Sequence, residues 1–203
     1  MQGMMWGRFV GSVNNEMGSV AHHPERKSIE IPFAGSFRHQ DERDRHNARR
    51  VVELLQTESR AFCSSTRGGH ITASAFIIDT SREHVLLTHH AKLDCWLQLG
   101  GHCDGIRDPA FVARKEAYEE SGLDCITPIT HDLFDIDIHT IPAHGDMPEH
   151  LHFDLRYLFE ANMSMPLQCT SESKALAWVS LCDLENYTQK SSVLIIKRKL
   201  ESL

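Results

Sequence analysis

No two cysteines in this chain form a C-x-x-C pair, no H-E-x-x-H spacing occurs and no internal repeat is visible. No apolar run approaches the roughly 18 residues that a membrane-spanning helix needs. The six cysteines, Cys63, Cys95, Cys103, Cys125, Cys169 and Cys182, lie at irregular distances. That pattern reads as reduced thiols in a cytoplasmic protein rather than a disulfide framework. Cys95, His102 and Cys103 could be imagined as zinc ligands, but a second half with ligand spacing is missing. Basic residues are also scarce, with 21 lysines and arginines against 28 aspartates and glutamates, a net charge of −7 with histidine neutral. Without a basic stripe carrying interleaved aromatics, nucleic acid is not an expected partner. A small anionic substrate would then need a metal or local cations. The opening MQGMMWGRFVGSV is interrupted by Gly3, Gly7, Arg8 and Gly11, so it lacks the unbroken apolar core of a signal peptide. We expect a cytoplasmic location and no membrane partner.

What is present suits one domain with an extension: 203 residues, 41% hydrophobic and 24% charged. Residues 1–35 show no sustained periodicity and are expected to be flexible or loosely docked. Residues 36–66 are expected to form a helical extension, since Ala48, Val51, Val52 and Leu55 recur at helical spacing between Asp41 and Glu58. That helix should pack on the following domain, residues 67–203, or serve a homodimer contact. HITASAFIID (70–79), HVLLTHH (84–90) and WLQLGG (96–101) read as strands. Asp108 as N-cap, Pro109 at the first helical position and Gly122 as C-terminal stop bound a helix. FDIDIH (134–139) and LHFDLRYLF (151–159) alternate as half-buried strands, ALAWVSL (175–181) is another, and Val193, Ile196, Leu200 and Leu203 mark a closing helix.

Inside the helix after Asp108, the stretch EAYEESGL places Glu116, Glu119 and Glu120 within five positions. Spacings of three and four put these carboxylates on one face, where like charges repel. Acidic clusters of this kind are common on solvated helix surfaces. A hard divalent cation such as Mg²⁺ or Mn²⁺ would instead turn the repulsion into binding, because it takes oxygen ligands and bridges carboxylates to phosphates.

The longer stretch GGHCDGIRDPAFVARKEAYEESGL, residues 100–123, resembles the signature of the Nudix hydrolases. That signature runs from a glycine through a glutamate, an Arg-Glu pair and a Glu-Glu pair to a final glycine and aliphatic residue. Gly101, Glu116, Ala117, Glu119, Glu120, Gly122 and Leu123 match in register; Arg107 stands where the family has Glu, and Lys115 where it has Arg. The order of elements from about residue 68 to 203 is also similar to the family's. The resemblance implies a three-layer α/β/α sandwich with a mixed sheet, and hydrolysis of a diphosphate linking a nucleoside to another moiety. It implies Mg²⁺ or Mn²⁺ held by Glu116, Glu119, Glu120 and the Gly101 carbonyl. Glu116 and Glu149 are candidates to take the proton from the attacking water, with Asp146 and Glu172 behind them, and Glu120 belongs to the same catalytic set.

For the substrate, His102 and Asp104 lie in the signature loop. His152, Asp154 and Arg156 share one strand face, from which Arg156 could meet a phosphate; alternation settles only that they share a side. Trp96 and Trp178 could stack on a base or belong to the core. The fourteen histidines, among them His89, His90, His144 and His150, show no motif spacing of a metal site. The Arg107 departure also motivates a second expectation, a Nudix-fold nucleotide-binding or regulatory protein with weak or no turnover. Isoprenoid diphosphate isomerase shares the fold in outline, but its cysteine and glutamate segments are not recognised here.

Overall fold

The chain is described by a computed structural model over residues 28–38 and 40–203. The expectation for residues 1–27 lies outside this range. Two antiparallel strands open the described chain, β1 (Ser28–Ile31) and β2 (Gly35–Arg38), followed by α1 (Glu42–Thr57). Then come β3 (Gly69–Asp79), β4 (His84–His90), β5 (Cys95–Leu97) and β6 (Leu99–His102), leading into α2 (Pro109–Ser121). β7 (Ile126–Pro128), β8 (Asp135–Ile141), β9 (His150–Ala161) and β10 (Ser173–Ser180) complete the strands. A 3₁₀ turn (Leu181–Asp183), a short α3 (Leu184–Tyr187) and α4 (Ser191–Leu200) close the chain.

Eight strands form one mixed sheet, ordered β10-β4-β3-β9-β7, with β5 added to β4, β6 to β3 and β8 to β9. Only β3 and β9 pair in parallel within it, in a register that sets His70 opposite His152 and Asp79 opposite Ala161. Side chains alternate across a sheet, so the odd-numbered residues of β3 and β9 face one way. Ile71, Ala73, Ala75 and Ile77, with Phe153, Leu155 and Tyr157, form a core with Val112, Ala113 and Ala117 of α2 and Ala48 and Val51 of α1. The opposite face is apolar at one end only, where Phe76, Ile78 and Leu158 meet Val193 and Ile196 of α4. Helices therefore cover both faces, the α/β/α sandwich expected.

Residues 28–35 differ from expectation, because they belong to a hairpin rather than a loose extension. Ile31, Ala34 and Phe37 are buried in the first core, and the Leu133 N–H donates to the Ser36 carbonyl at 3.0 Å. Two such residues on four-residue strands and one in the turn between them are too few to produce a readable period. α1 begins as read, with Asp41 accepting from the Asp44 N–H at 2.9 Å. Its stripe is used inside the chain: Ala48 and Val51 are buried, and Val52 and Leu55 pack partly buried on the same core. The single strand expected at 96–101 splits at Gln98, since β5 pairs with β4 and β6 with β3. At the closing helix, Leu203 falls beyond α4 and is 58% exposed. Among the described residues no helix is long and apolar enough to cross a membrane.

Candidate active site

The signature helix is built as its ends dictate. Asp108 accepts from the Phe111 N–H at 2.9 Å, and Gly122 closes the helix in the left-handed conformation at φ 69°. Gly122 has no room for a side chain, because a Cβ there would lie 2.6 Å from Gln168 Cβ. The helix packs on the first core through Val112, Ala113 and Ala117, and this fixes the depth of the three glutamates. Glu120 is buried, Glu116 half-buried and Glu119 exposed.

Glu120 reaches the glycine pair that precedes the helix: its Oε2 accepts from the Gly100 N–H at 3.0 Å. Burial raises the Glu120 carboxyl to about 7; the Gly100 N–H works against this, while the charges of Glu116, Glu172 and Glu119 push it further up. Glu116 presses on the next glycine, so that a Cβ on Gly101 would fall 2.9 Å from the Glu116 carboxyl carbon. Lys115 Nζ bridges Glu116 at 3.1 Å and Glu119 at 2.6 Å. Its pKa is raised chiefly by the bond to Glu119. A helix and a glycine loop thus focus negative charge that a single ammonium only partly offsets. Hard oxygen donors of this kind, beside a backbone stripped of side chains, suit a divalent cation.

The expected residues separate into those brought to this focus and those held elsewhere. Glu172, in the segment before β10, is brought near enough for its charge to raise Glu120. Glu149 and Asp146 sit on the exposed loop before β9. Asp104, with φ 48°, accepts from Ser64 Oγ at 2.8 Å, and His102 is exposed at the end of β6.

Arg107 does not turn toward the carboxylates. Its Nη2 donates to the Ser59 carbonyl at 3.1 Å, and its guanidinium lies 5.6 Å from the Phe33 ring centroid. The charge reversal at this position therefore ties the signature loop to the N-terminal hairpin.

Arg156 is corrected by the structure, being 1% exposed and unable to meet a phosphate in a cleft. Its Nε bonds Asp154 at 2.7 Å, Nη1 meets Asp135 at 3.2 Å and the Ser192 carbonyl at 2.5 Å, and Nη2 meets Asp137 at 3.4 Å. Arg43 and Lys199 join the same acids: Arg43 to Asp135 at 3.0 Å and Asp137 at 3.1 Å, Lys199 to Asp135 at 2.9 Å and Asp44 at 3.0 Å. Alternation correctly grouped His152, Asp154 and Arg156 on one face, but depth along the strand was not readable.

That face carries one group that spacing did not reveal. His70, His102, His139, His150 and His152 meet at one sheet end, with ring centroids 4.7 to 5.6 Å apart in the pairs that touch. Burial pushes His152 down to about 3, with the other four rings adding. The Cys95, His102 and Cys103 set is not gathered as a ligand group among the described residues. Burial also pushes the Cys103 thiol up to about 12, with Asp154, Asp104 and Glu116 adding. Trp178 packs partly buried on the first core and Trp96 on the second, where Trp96 stacks on His89 at 5.0 Å.

A cavity of about 610 Å³ lies elsewhere, between Arg38, Thr130, Asp132, Phe134, Lys199 and the C-terminal residues. It contains none of the signature residues.

Comparison with known proteins agrees with the signature. The NUDIX domain profile matches residues 68–198. No curated protein matches the chain. Among solved structures, a NUDIX-family hydrolase from Clostridium perfringens is 32% identical, with 65% of this chain and 96% of that one covered and a TM-score of 0.47. An Ap4A hydrolase from C. elegans is 18% identical, with coverages of 65% and 95% and a TM-score of 0.48. A bifunctional NMN adenylyltransferase/ADP ribose pyrophosphatase from Francisella tularensis is 16% identical, with coverages of 76% and 49% and a TM-score of 0.49. With the profile spanning well over half of its length, the chain belongs to the Nudix family and is a Nudix-type pyrophosphohydrolase.

Proposed function

We propose that this enzyme cleaves the diphosphate of a nucleoside diphosphate joined to another moiety, by attack of water on phosphorus, using Mg²⁺ or Mn²⁺ held at α2. The carrying observation is Glu120, buried against the Gly100 N–H and beside Glu116, Glu119 and Glu172. Glu116, Glu119, Glu120 and the Gly101 carbonyl are the proposed metal holders. A bound cation supplies charge neutralisation at the diphosphate and a more acidic water.

The chain's own residues do the rest. The Gly100 N–H fixes the Glu120 carboxylate, and the bare Gly101 backbone gives Glu116 its room. Lys115 holds Glu116 and Glu119 in place of the family's arginine, as a point charge without the planar fork. For the proton of the attacking water, Glu149, Asp146 and Glu172 are candidates, Glu172 being the one whose charge acts on Glu120. Glu116 remains a candidate for the same step. His102 and Asp104, flanking the loop after Gly101, are proposed to meet the substrate. The reduced thiols favour the cytoplasm as its place of work.

The regulatory alternative rested on Arg107, and that side chain is engaged with Ser59 and Phe33, away from the carboxylates. The deciding experiment is a screen of the full chain against nucleoside triphosphates, nucleotide sugars, ADP-ribose, dinucleoside polyphosphates and coenzyme A. Products are identified with and without Mg²⁺ or Mn²⁺. Cation-dependent release of phosphate-containing products is expected. Tight binding without turnover across the panel would overturn hydrolysis in favour of the regulatory alternative.

A further inference from the structure

Five imidazoles share one end of the polar sheet face, four from β3, β8 and β9 and the fifth, His102, next to Gly101 on β6. The register explains why: His70 on β3 stands opposite His152 on β9, which stands opposite His139 on β8, and His150 lies two residues before His152 on the same side. His102 closes the group from β6, its ring 5.2 Å from His70 and 5.1 Å from His152. One ring nitrogen from each of His70, His150 and His152 lies within 4.8 Å of the others.

The hydrogen bonds around these rings engage one nitrogen of His70 and one of His150. His70 Nδ1 faces the Thr66 carbonyl at 3.4 Å, and His150 Nδ1 the Pro148 carbonyl at 2.8 Å. A carbonyl only accepts, so Nδ1 carries the hydrogen in both rings, and in the neutral imidazole Nε2 is then the bare nitrogen. His70, only 1% exposed, has its Nε2 buried without a partner, and so has His152. A buried ring nitrogen left unpaired is destabilising. Imidazoles that bind metal share this arrangement, donating the other N–H to a carbonyl or carboxylate and keeping one lone pair free. Four tetrahedral nitrogens at about 2.0–2.1 Å from zinc would stand about 3.4 Å apart, a small inward adjustment from the present spacing.

We propose that His70, His150 and His152 form a second cation site, for a Zn²⁺-class transition metal, with the fourth position open to water or to His102. Imidazole donors select such ions over Mg²⁺, so the site differs in chemistry from the carboxylates of α2. It does not depend on the hydrolytic proposal.

The test uses the full chain, stripped with chelator and titrated with Co²⁺ and Zn²⁺ in excess Mg²⁺. The expected result is one equivalent bound, with the intense visible absorption of tetrahedral Co²⁺. Glu120→Gln should bind alike, whereas His150→Ala and His152→Gln should lose saturable binding. Should those variants fail to fold, X-ray absorption of the zinc-loaded wild type decides, with a nitrogen shell at about 2.0–2.1 Å and the outer-shell scattering of imidazole rings expected, and a shell without that ring scattering overturning the site. A sulfur shell at about 2.3 Å, absence of saturable Zn²⁺ and Co²⁺ binding, binding abolished by Glu120→Gln, or undiminished binding by folded histidine variants would each overturn the site.

Discussion

Glu120 and the two glycines beside it do different work, and substitution separates them. Several kcal/mol of charge stabilisation rests on a catalytic cation, and each 1.36 kcal/mol is a factor of ten in rate. Glu120→Gln is therefore expected to lower kcat/KM by about 10³-fold or more. Thermal melting should show no loss of stability, because the amide oxygen still accepts from the Gly100 N–H and a buried carboxylate is gone. Gly101→Ala places a methyl 2.9 Å from the movable end of Glu116, so activity should fall while the melt stays within a few degrees of wild type. Gly100→Ala behaves oppositely: at φ 154° its Cβ would stand 2.6 Å from the Ala73 carbonyl, which is backbone and cannot step aside. About 1–3 kcal/mol of stability is expected to go, read from denaturant midpoints. At this scale the carboxylates were legible because helical spacing alone puts them on one face. Arg156 was not, because alternation assigns a side chain to a face and is silent on whether a helix covers it.

Among the elements, the hairpin of β1 and β2 is what the sequence concealed. Two of its three buried residues sit on strands of four and Ala34 in the turn, which places Phe33 at φ 68° and Gly35 at φ 85°, a local geometry without periodic trace. It docks through Phe37 in the core and through Phe33, whose ring meets Phe62 edge-on at 5.7 Å and lies under Arg107. An exposed cation over a ring contributes about 0.5–1 kcal/mol. Arg107→Ala should accordingly lower Tm by about 1–4 °C and speed amide exchange in 28–38, with turnover retained. A large loss of activity with unchanged exchange would return Arg107 to the reacting groups. α1 and α2 were read nearly to the residue, since Asp41, Asp108 and Gly122 each cap by a local bond, whereas the short α3 left no readable period and α4 stops before Leu203. The break between β5 and β6 was not, because a change of pairing partner at Gln98 is a long-range event.

At the scale of the molecule, four carboxylates (Asp44, Asp135, Asp137, Asp154) face three cations (Arg43, Arg156, Lys199), joining α1, β8, β9 and α4 on the polar sheet face. Removing one partner from a buried set costs about 3–5 kcal/mol. Arg156→Met should thus lower Tm by about 10 °C or more, which melting of the purified variant would show. Acid should act on the same network. Burial works to raise Asp137, but the bond with His139 and the charges of Arg156 and Arg43 hold it down at about 2. Between that value and the ordinary carboxylate range the unfolded chain binds the extra proton, so stability rises with pH across this window. The contribution is fully present above pH about 4 and is lost as the pH falls toward 2. Acid unfolding followed by circular dichroism should steepen there, and less so in Asp137→Asn. The sequence alone determined the signature helix, its caps, its facing carboxylates and the alternating strands, because each is set by spacing within one element. Only the tertiary structure decided that Arg156 is an internal counter-ion, that Arg107 serves the hairpin and that His70 meets His150 and His152. Those outcomes depend on strand register and helix cover, which join residues far apart in the chain.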